Sequence, residues 1–177
     1  GVKFRTKSDT EVLLEVFKKH KKETPQYLNG FFAFAIYNHS NEELFLCRDR
    51  MGIKPLFLYQ NNGLIAFASE LKALMAYDIS KEIDELSLHR YFQLNYIPGP
   101  NTIFKQVKQI EPGSSLTIKD GKTTKNKYYT IPRNTKFDGG YYEAQQKLHS
   151  LLLGSISKRL VSDVPLGTFL SGGIDSS

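Results

Sequence analysis

Between residues 8 and 20, Val12, Leu13, Val16 and Phe17 recur at the spacing of one face of an α-helix. Ser8 stands where an N-cap belongs and Glu11 follows three positions later, so a capping box is predicted at the start and an end before Pro25. The stretch "PQYLNG" predicts a short turn closed by Gly30. At Phe31 the period changes to two. "FFAFAIYN" sets Phe32, Phe34 and Ile36 on one face of a strand and Ala33 and Ala35 on the other. A turn over residues 38–41 leads into a second strand, "ELFLCRD". "FLYQ" and "LIAFAS", joined through Asn61-Asn62-Gly63, predict a hairpin whose corner tolerates positive φ.

Helical spacing with capping residues returns in "SELKALMAY" and "DELSLHRYFQL". A further hairpin, "SSLTIKDGKTTKNKYY", turns at Asp120-Gly121. "TIPRNTKFDGG" has no period and is rich in turn formers, which marks it as a linker. Beyond it a helix is predicted over residues 141 to about 160, with Leu148, Leu151, Leu152 and Ile156 on one side. Residues 161–163 break the pattern, and "VPLGTFL" predicts a short buried strand running into "SGGIDSS".

Two fold classes therefore share the chain. Residues 1–130 are expected to form an α+β part, an antiparallel sheet with helices laid on it. Residues 131–140 are the linker, and residues 141–177 open an α/β domain with a parallel sheet. The 177 residues suffice for one domain and part of a second.

Composition narrows the classes further. No apolar run approaches the roughly 20 residues of a membrane helix, and "GVKFRTKSDTE" lacks the apolar core of a signal peptide. The net charge of +6 comes from scattered lysines, a pattern of solvated faces rather than a nucleic-acid footprint. Cys47, the single cysteine, excludes an internal disulfide, suits a reducing compartment and reads as a small buried hydrophobe within "LFLC". A cytoplasmic protein with neither membrane nor nucleic-acid partner is expected.

The candidate chemistry lies at the end of the chain. A glycine loop between a strand and a helix points backbone N–H groups at one place, which attracts an anion. Gly172 and Gly173 allow a close approach, and Ser171, Ser176 and Ser177 can donate hydroxyl hydrogen bonds. Asp175 would repel phosphate by itself and so suggests an intervening divalent ion, magnesium most readily. No lysine follows the glycines, so this is not the Gly-Lys-Ser/Thr loop. On the residues alone, a helix cap after a glycine turn, with Asp175 favoured by the helix dipole, stands beside the phosphate reading.

"SGGIDSS" after a strand resembles the pyrophosphate loop of the ATP pyrophosphatases. The longer run "RLVSDVPLGTFLSGGIDSS" is similar to the start of the synthetase domain of glutamine-hydrolysing asparagine synthetases. "SDTEVLL" and "LNGFFAFAIYN…ELFLCRDRMGIKPLFLY…GLIAFASELKAL" resemble the later part of the class II glutamine amidotransferase domain attached to those enzymes, of the amino-terminal-nucleophile, αββα type. The two resemblances follow the family's domain order.

The resemblance implies a two-site enzyme, a ligase of amino-acid biosynthesis. Glutamine would be hydrolysed at one site. At the other, ATP with magnesium would convert aspartate to β-aspartyl-AMP, which ammonia turns into asparagine, releasing AMP and pyrophosphate. Carried over to this chain, Asp9 would bind the glutamine amino group. Ser171, Gly172, Gly173, Ser176 and Ser177 would hold phosphates, Asp175 would engage magnesium, and Phe169 and Leu170 would lie beside the adenosine. The family's nucleophile is an N-terminal cysteine with a free α-amine. This chain starts at Gly1 and Cys47 is internal, so no catalytic residue is assigned and the chain is expected to be a segment, inactive alone, that lacks both ends. Asn29-Gly30 ends a turn before a strand and is not read as the family's oxyanion pair. Arg48, Asp49 and Arg50 in "RDRMGIKPL" predict a loop pinned by an Arg–Asp pair, close to the glutaminase pocket or the passage toward the second domain. The alternatives are a related enzyme acting on another acyl group, as β-lactam synthetases do, or a non-catalytic interaction module. A homodimer is a candidate assembly.

Overall fold

The computed structural model describes residues 2–133 and 135–174. It divides into two compact units, Gly1–Ile131 and Pro132–Ser177.

In the first unit, helix α1 (Asp9–His20) opens with the Ser8 hydroxyl accepting from the Thr10 N–H at 3.2 Å. Glu11 does not complete the predicted box with Ser8. Its carboxylate reaches further back and accepts from the N–H groups of Arg5 and Thr6 and from the Thr6 hydroxyl, at 2.6–2.9 Å. These three donors, the Thr6 hydroxyl first, hold the Glu11 carboxyl below its ordinary pKa. A 3₁₀ turn (Lys21–Glu23) and the single-turn α2 (Thr24–Tyr27, with Pro25 in its first turn) complete the helical entry.

Two antiparallel sheets follow. The first has the order β1-β2-β6-β7, from β1 (Ala33–Asn38), β2 (Glu43–Arg48), β6 (Ser114–Lys119) and β7 (Lys122–Lys127). The second has the order β4-β3-β5, from β3 (Phe57–Asn61), β4 (Leu64–Ala68) and β5 (Val107–Gln109). Both predicted two-residue hairpins form, with positive φ at Asn62 and Gly63 and at Asp120 and Gly121. All of β7 is exposed, and Lys122, Lys125 and Lys127 place charge along this sheet edge, which discourages pairing with another chain.

The pleat sorts side chains between layers. Leu46 of β2, Leu116 and Ile118 of β6, and Leu58 of β3 form the core between the sheets with Leu56 and Ile110, and Ala33 packs against them. Phe45, on the other face of β2, meets Phe17 of α1 at a ring separation of 5.4 Å and Phe34 at 6.0 Å. The predicted division of β1 therefore holds: Phe34 faces the helix, and Ala33 lets the second sheet approach. Beyond the second sheet, Tyr59 and Val107 pack with Ile79 and with Leu74 of the one-turn α3 (Leu71–Leu74). Helix α4 (Glu85–Leu94) follows, capped by Asp84, which accepts from the Ser87 N–H at 2.7 Å. The layers run helix, sheet, sheet, helix.

In the second unit, α5 (Tyr141–Ser157) begins with the Gly140 N–H donating to Glu143 at 3.0 Å. It stops short of residue 160, and its end tightens through i→i+3 bonds from Arg159 to Ile156 and from Leu160 to Ser157. The strand predicted in "VPLGTFL" does not form: residues 164–170 are exposed and outside any ladder. A parallel strand needs a neighbour to pair with, and among the described residues this unit contains no strand. No helix among the described residues is long and apolar enough to cross a membrane.

Leu46 is fully buried between the sheets. Leu46→Ala is expected to lower the stability of the first unit by about 3 kcal/mol, read from the urea midpoint at unchanged m-value.

Candidate functional site

A cleft of about 750 Å³ opens beside the start of α1. Asp9, Thr10, Val12 and Leu13 line it from the helix; Leu28, Asn29 and Gly30 come from the turn after α2, and residues 31–35 from the entry into β1. Lys54, Pro55 and Ser69 complete the wall. Asp9 is exposed at the first helical position, where backbone N–H groups favour a negative charge. The lining holds one carboxylate, Asp9, and one cation, Lys54. An exposed carboxylate beside apolar walls can bind an ammonium group by a charge-assisted hydrogen bond. Asn29 and Gly30, set aside on sequence grounds, lie in the lining. Lys54 joins it from the "RDRMGIKPL" loop, which the sequence reading sets close to the glutaminase pocket or the passage toward the second domain, and Ser69 from the start of "SELKAL".

The loop 48–55 beside this cleft is held differently from the sequence reading. Arg48 and Asp49 do not pair, since successive residues leaving an extended strand point to opposite sides. Each instead takes backbone partners. Arg48 donates to the carbonyls of Ile110 and Gly52 at 2.6 Å and of Lys54 at 2.8 Å. Burial pulls its pKa down while the neighbouring Asp49 charge opposes that shift. Asp49 is 1% exposed. Its Oδ1 accepts from the N–H groups of Met51 (3.1 Å) and Ile53 (3.0 Å), and its Oδ2 from Lys54 (2.9 Å) and Phe32 (3.3 Å). Burial alone would raise the carboxyl, but these four donors outweigh it and hold Asp49 ionised, below the ordinary range. The Asp49 carbonyl accepts from Gly52 and Gly113. Both glycines sit at positive φ, and a Cβ on Gly113 would lie 2.6 Å from the Tyr129 carbonyl oxygen. Arg50 reaches the other way, to the carbonyls of Leu28 (2.6 Å), Gln26 (3.3 Å) and Pro25 (3.5 Å), with its guanidinium 5.7 Å from the Tyr129 ring centre.

Cys47 is fully buried on the helix side of β2, and burial pushes its thiol up to about 12. The nearby Tyr128 hydroxyl donates to the Arg48 carbonyl at 2.7 Å and is itself raised, chiefly by burial. A thiol held protonated in this way is packing, not a nucleophile.

In the second unit Phe169 and Leu170 are exposed, followed by Ser171, Gly172 and Gly173. Gly172 has φ +70°, the left-handed geometry expected of a glycine turn, with open space where a Cβ would stand. Asp175, Ser176 and Ser177 lie outside the described residues, and the magnesium assignment with them. Among the described residues no group of three or more His, Cys, Asp or Glu gathers that could hold a metal.

The family model for the glutamine amidotransferase domain matches residues 1–129, and that for asparagine synthase matches residues 147–177. The whole chain aligns with asparagine synthetase [glutamine-hydrolyzing] 1 of Bacillus subtilis at 41% identity and with asparagine synthetase 3 of the same organism at 37%. It spans 28% and 29% of those relatives' lengths. Amidase chry2 of Gibberella zeae aligns with 99% of the chain at 28% identity, over 26% of its own length. Among solved structures, the glutamine phosphoribosylpyrophosphate amidotransferase of B. subtilis superposes on 74% of the chain and 25% of its own with a TM-score of 0.50 at 23% identity. That likeness concerns the fold alone.

Cys47 is expected to resist a thiol-alkylating reagent in the folded protein at pH 8, reacting at least about a hundredfold more slowly than in urea. Mass-spectrometric labelling kinetics in the two states check this.

Proposed function

The chain belongs to the glutamine amidotransferase domain family, and on that premise we propose that it joins the later part of a glutaminase domain to the opening of an ATP-dependent synthetase domain. The parent enzyme would be a cytoplasmic carbon–nitrogen ligase that transfers the amide nitrogen of glutamine to aspartate, forming asparagine. The observation that carries this reading is the continuous alignment of the entire chain, both parts in one order, with two glutamine-hydrolysing asparagine synthetases.

Each site has a chemical rationale. Asp9, exposed in the cleft lining, would hold the α-ammonium of glutamine, leaving the amide end to run along the apolar wall of residues 31–35. The cysteine nucleophile would come from outside this chain, since the Cys47 thiol is buried and protonated. Ammonia released there would pass to the second site. A carboxylate resists an amine until it carries a leaving group, and ATP supplies one by adenylation, with AMP and pyrophosphate released. Ser171, Gly172, Gly173, Ser176 and Ser177 would bind the phosphates, Asp175 the magnesium, and Phe169 and Leu170 would lie against the adenosine. The open left-handed turn at Gly172 supports a main chain able to approach a phosphate. Aspartate as the acyl substrate rests on the names of the two Bacillus relatives; the amidase relative, at lower identity, leaves another acyl group as the second reading.

Two substitutions in the full-length protein test the two sites separately. Asp9→Asn removes a charge-assisted bond, and the KM for glutamine is expected to rise about 10- to 100-fold while ammonia-supported synthesis persists. Asp175→Ala is expected to abolish aspartate-dependent pyrophosphate release while glutamine hydrolysis continues. Equal loss of both activities in either variant contradicts the assignment.

A further inference from the structure

Neither Asp49 nor Arg50 lines the cleft, yet together they hold three of the four non-helical stretches that do. Asp49 bridges two of them. Its Oδ2 accepts from the N–H groups of both Phe32, in the β1 entry, and Lys54, in the facing loop, and its own N–H donates to the Phe32 carbonyl at 2.8 Å. Arg50 holds the third by donating to the Leu28 carbonyl, immediately before Asn29 and Gly30. We propose that Asp49 and Arg50 are positioning residues for the glutamine cleft, an adjacent acid–base pair that spaces its walls through backbone hydrogen bonds and never touches substrate. This rests on the glutaminase reading above.

The chemistry of the pair supports a division of labour. The carboxylate of Asp49 accepts from four main-chain donors: Oδ1 closes the loop on itself through Met51 and Ile53, and Oδ2 joins that loop to β1. An asparagine cannot reproduce both halves, because its NH₂ is a donor and would face two N–H groups. Whichever way the amide turns, either the loop or the bridge opens. Arg50 is half-buried; of its carbonyl partners Gln26 is exposed, Leu28 half-buried and Pro25, the most distant at 3.5 Å, buried, so its removal leaves the two nearer carbonyls within reach of water. A cleft whose walls shift by a fraction of an ångström would hold a small amino acid less well, while a second active site fed with free ammonia would not register the change.

The test uses the full-length enzyme and compares Asp49→Asn and Arg50→Ala with the unaltered protein in glutamine hydrolysis, glutamine-supported synthesis and ammonia-supported synthesis. The expected result is a KM for glutamine raised about tenfold by Asp49→Asn and about threefold by Arg50→Ala, with ammonia-supported synthesis within about twofold of the unaltered enzyme. A general structural role would lower glutamine- and ammonia-supported rates together, and that outcome, or an unchanged KM for glutamine, overturns the proposal. If Asp49→Asn does not fold, Arg50→Ala decides by the same criteria. An unaltered full-length protein that hydrolyses no glutamine would instead defeat the glutaminase reading, and the proposal would fall with it.

Discussion

A buried carboxylate held by main-chain donors organises the first unit. Removing an ionised group from water is expensive unless every lone pair finds a donor, and Asp49 meets that demand with four backbone N–H groups drawn from Phe32, Met51, Ile53 and Lys54. Its own N–H and carbonyl tie it to Phe32, Gly52 and Gly113. One residue thereby joins the end of β2, the entry of β1, the loop into β3 and the approach to β6. The glycines at 52 and 113 follow from it, since both turn their N–H groups toward the Asp49 carbonyl at positive φ where a side chain would collide with Pro112 or Tyr129. Arg48 and Arg50 extend the same scheme outward, each spending its guanidinium on carbonyls rather than on the acid between them.

Local order was legible where one period dominates. The α1 stripe, the change of period at Phe31 and the two Asn-Gly and Asp-Gly corners carry their own physics, and the alternation through residues 32–36 assigned the faces of β1 before any partner was known. What could not be read is the division into two sheets. Leu46 pairs with Leu116 across the intervening hairpin and helices, and no local pattern records which strand a distant segment will choose. Strand β5 carries no sequence signal, because Val107–Gln109 is only one alternation long and gains its identity from pairing with β3. The strand expected in "VPLGTFL" is the opposite case: apolar composition suggested burial, but a parallel strand exists only beside its neighbours.

The cleft divides in the same way. Asp9 lies in the lining, and its proposed ligand role rests on resemblance, with the helix N-terminus giving a physical reason for its charge. Lys54 and Ser69 enter the wall because tertiary structure brings them there, and no spacing along the chain connects either to Asp9. The Arg–Asp pair anticipated in "RDRMGIKPL" failed for a definite reason: adjacency in an extended segment turns side chains apart, and Gly52 and Pro55 signalled a tight loop without revealing that main-chain donors would hold it. A charged cluster in a loop can therefore serve as scaffold for a nearby site while standing outside it.

The claim on which the rest depends is that this cleft receives glutamine through Asp9. A crystal structure of the full-length protein soaked with L-glutamate, the product of glutamine hydrolysis, tests it directly. The ligand ammonium is expected within about 3.2 Å of the Asp9 carboxylate, with the carbon chain along residues 31–35. Glutamate bound elsewhere, or bound in the cleft with its ammonium turned away from Asp9, would contradict it.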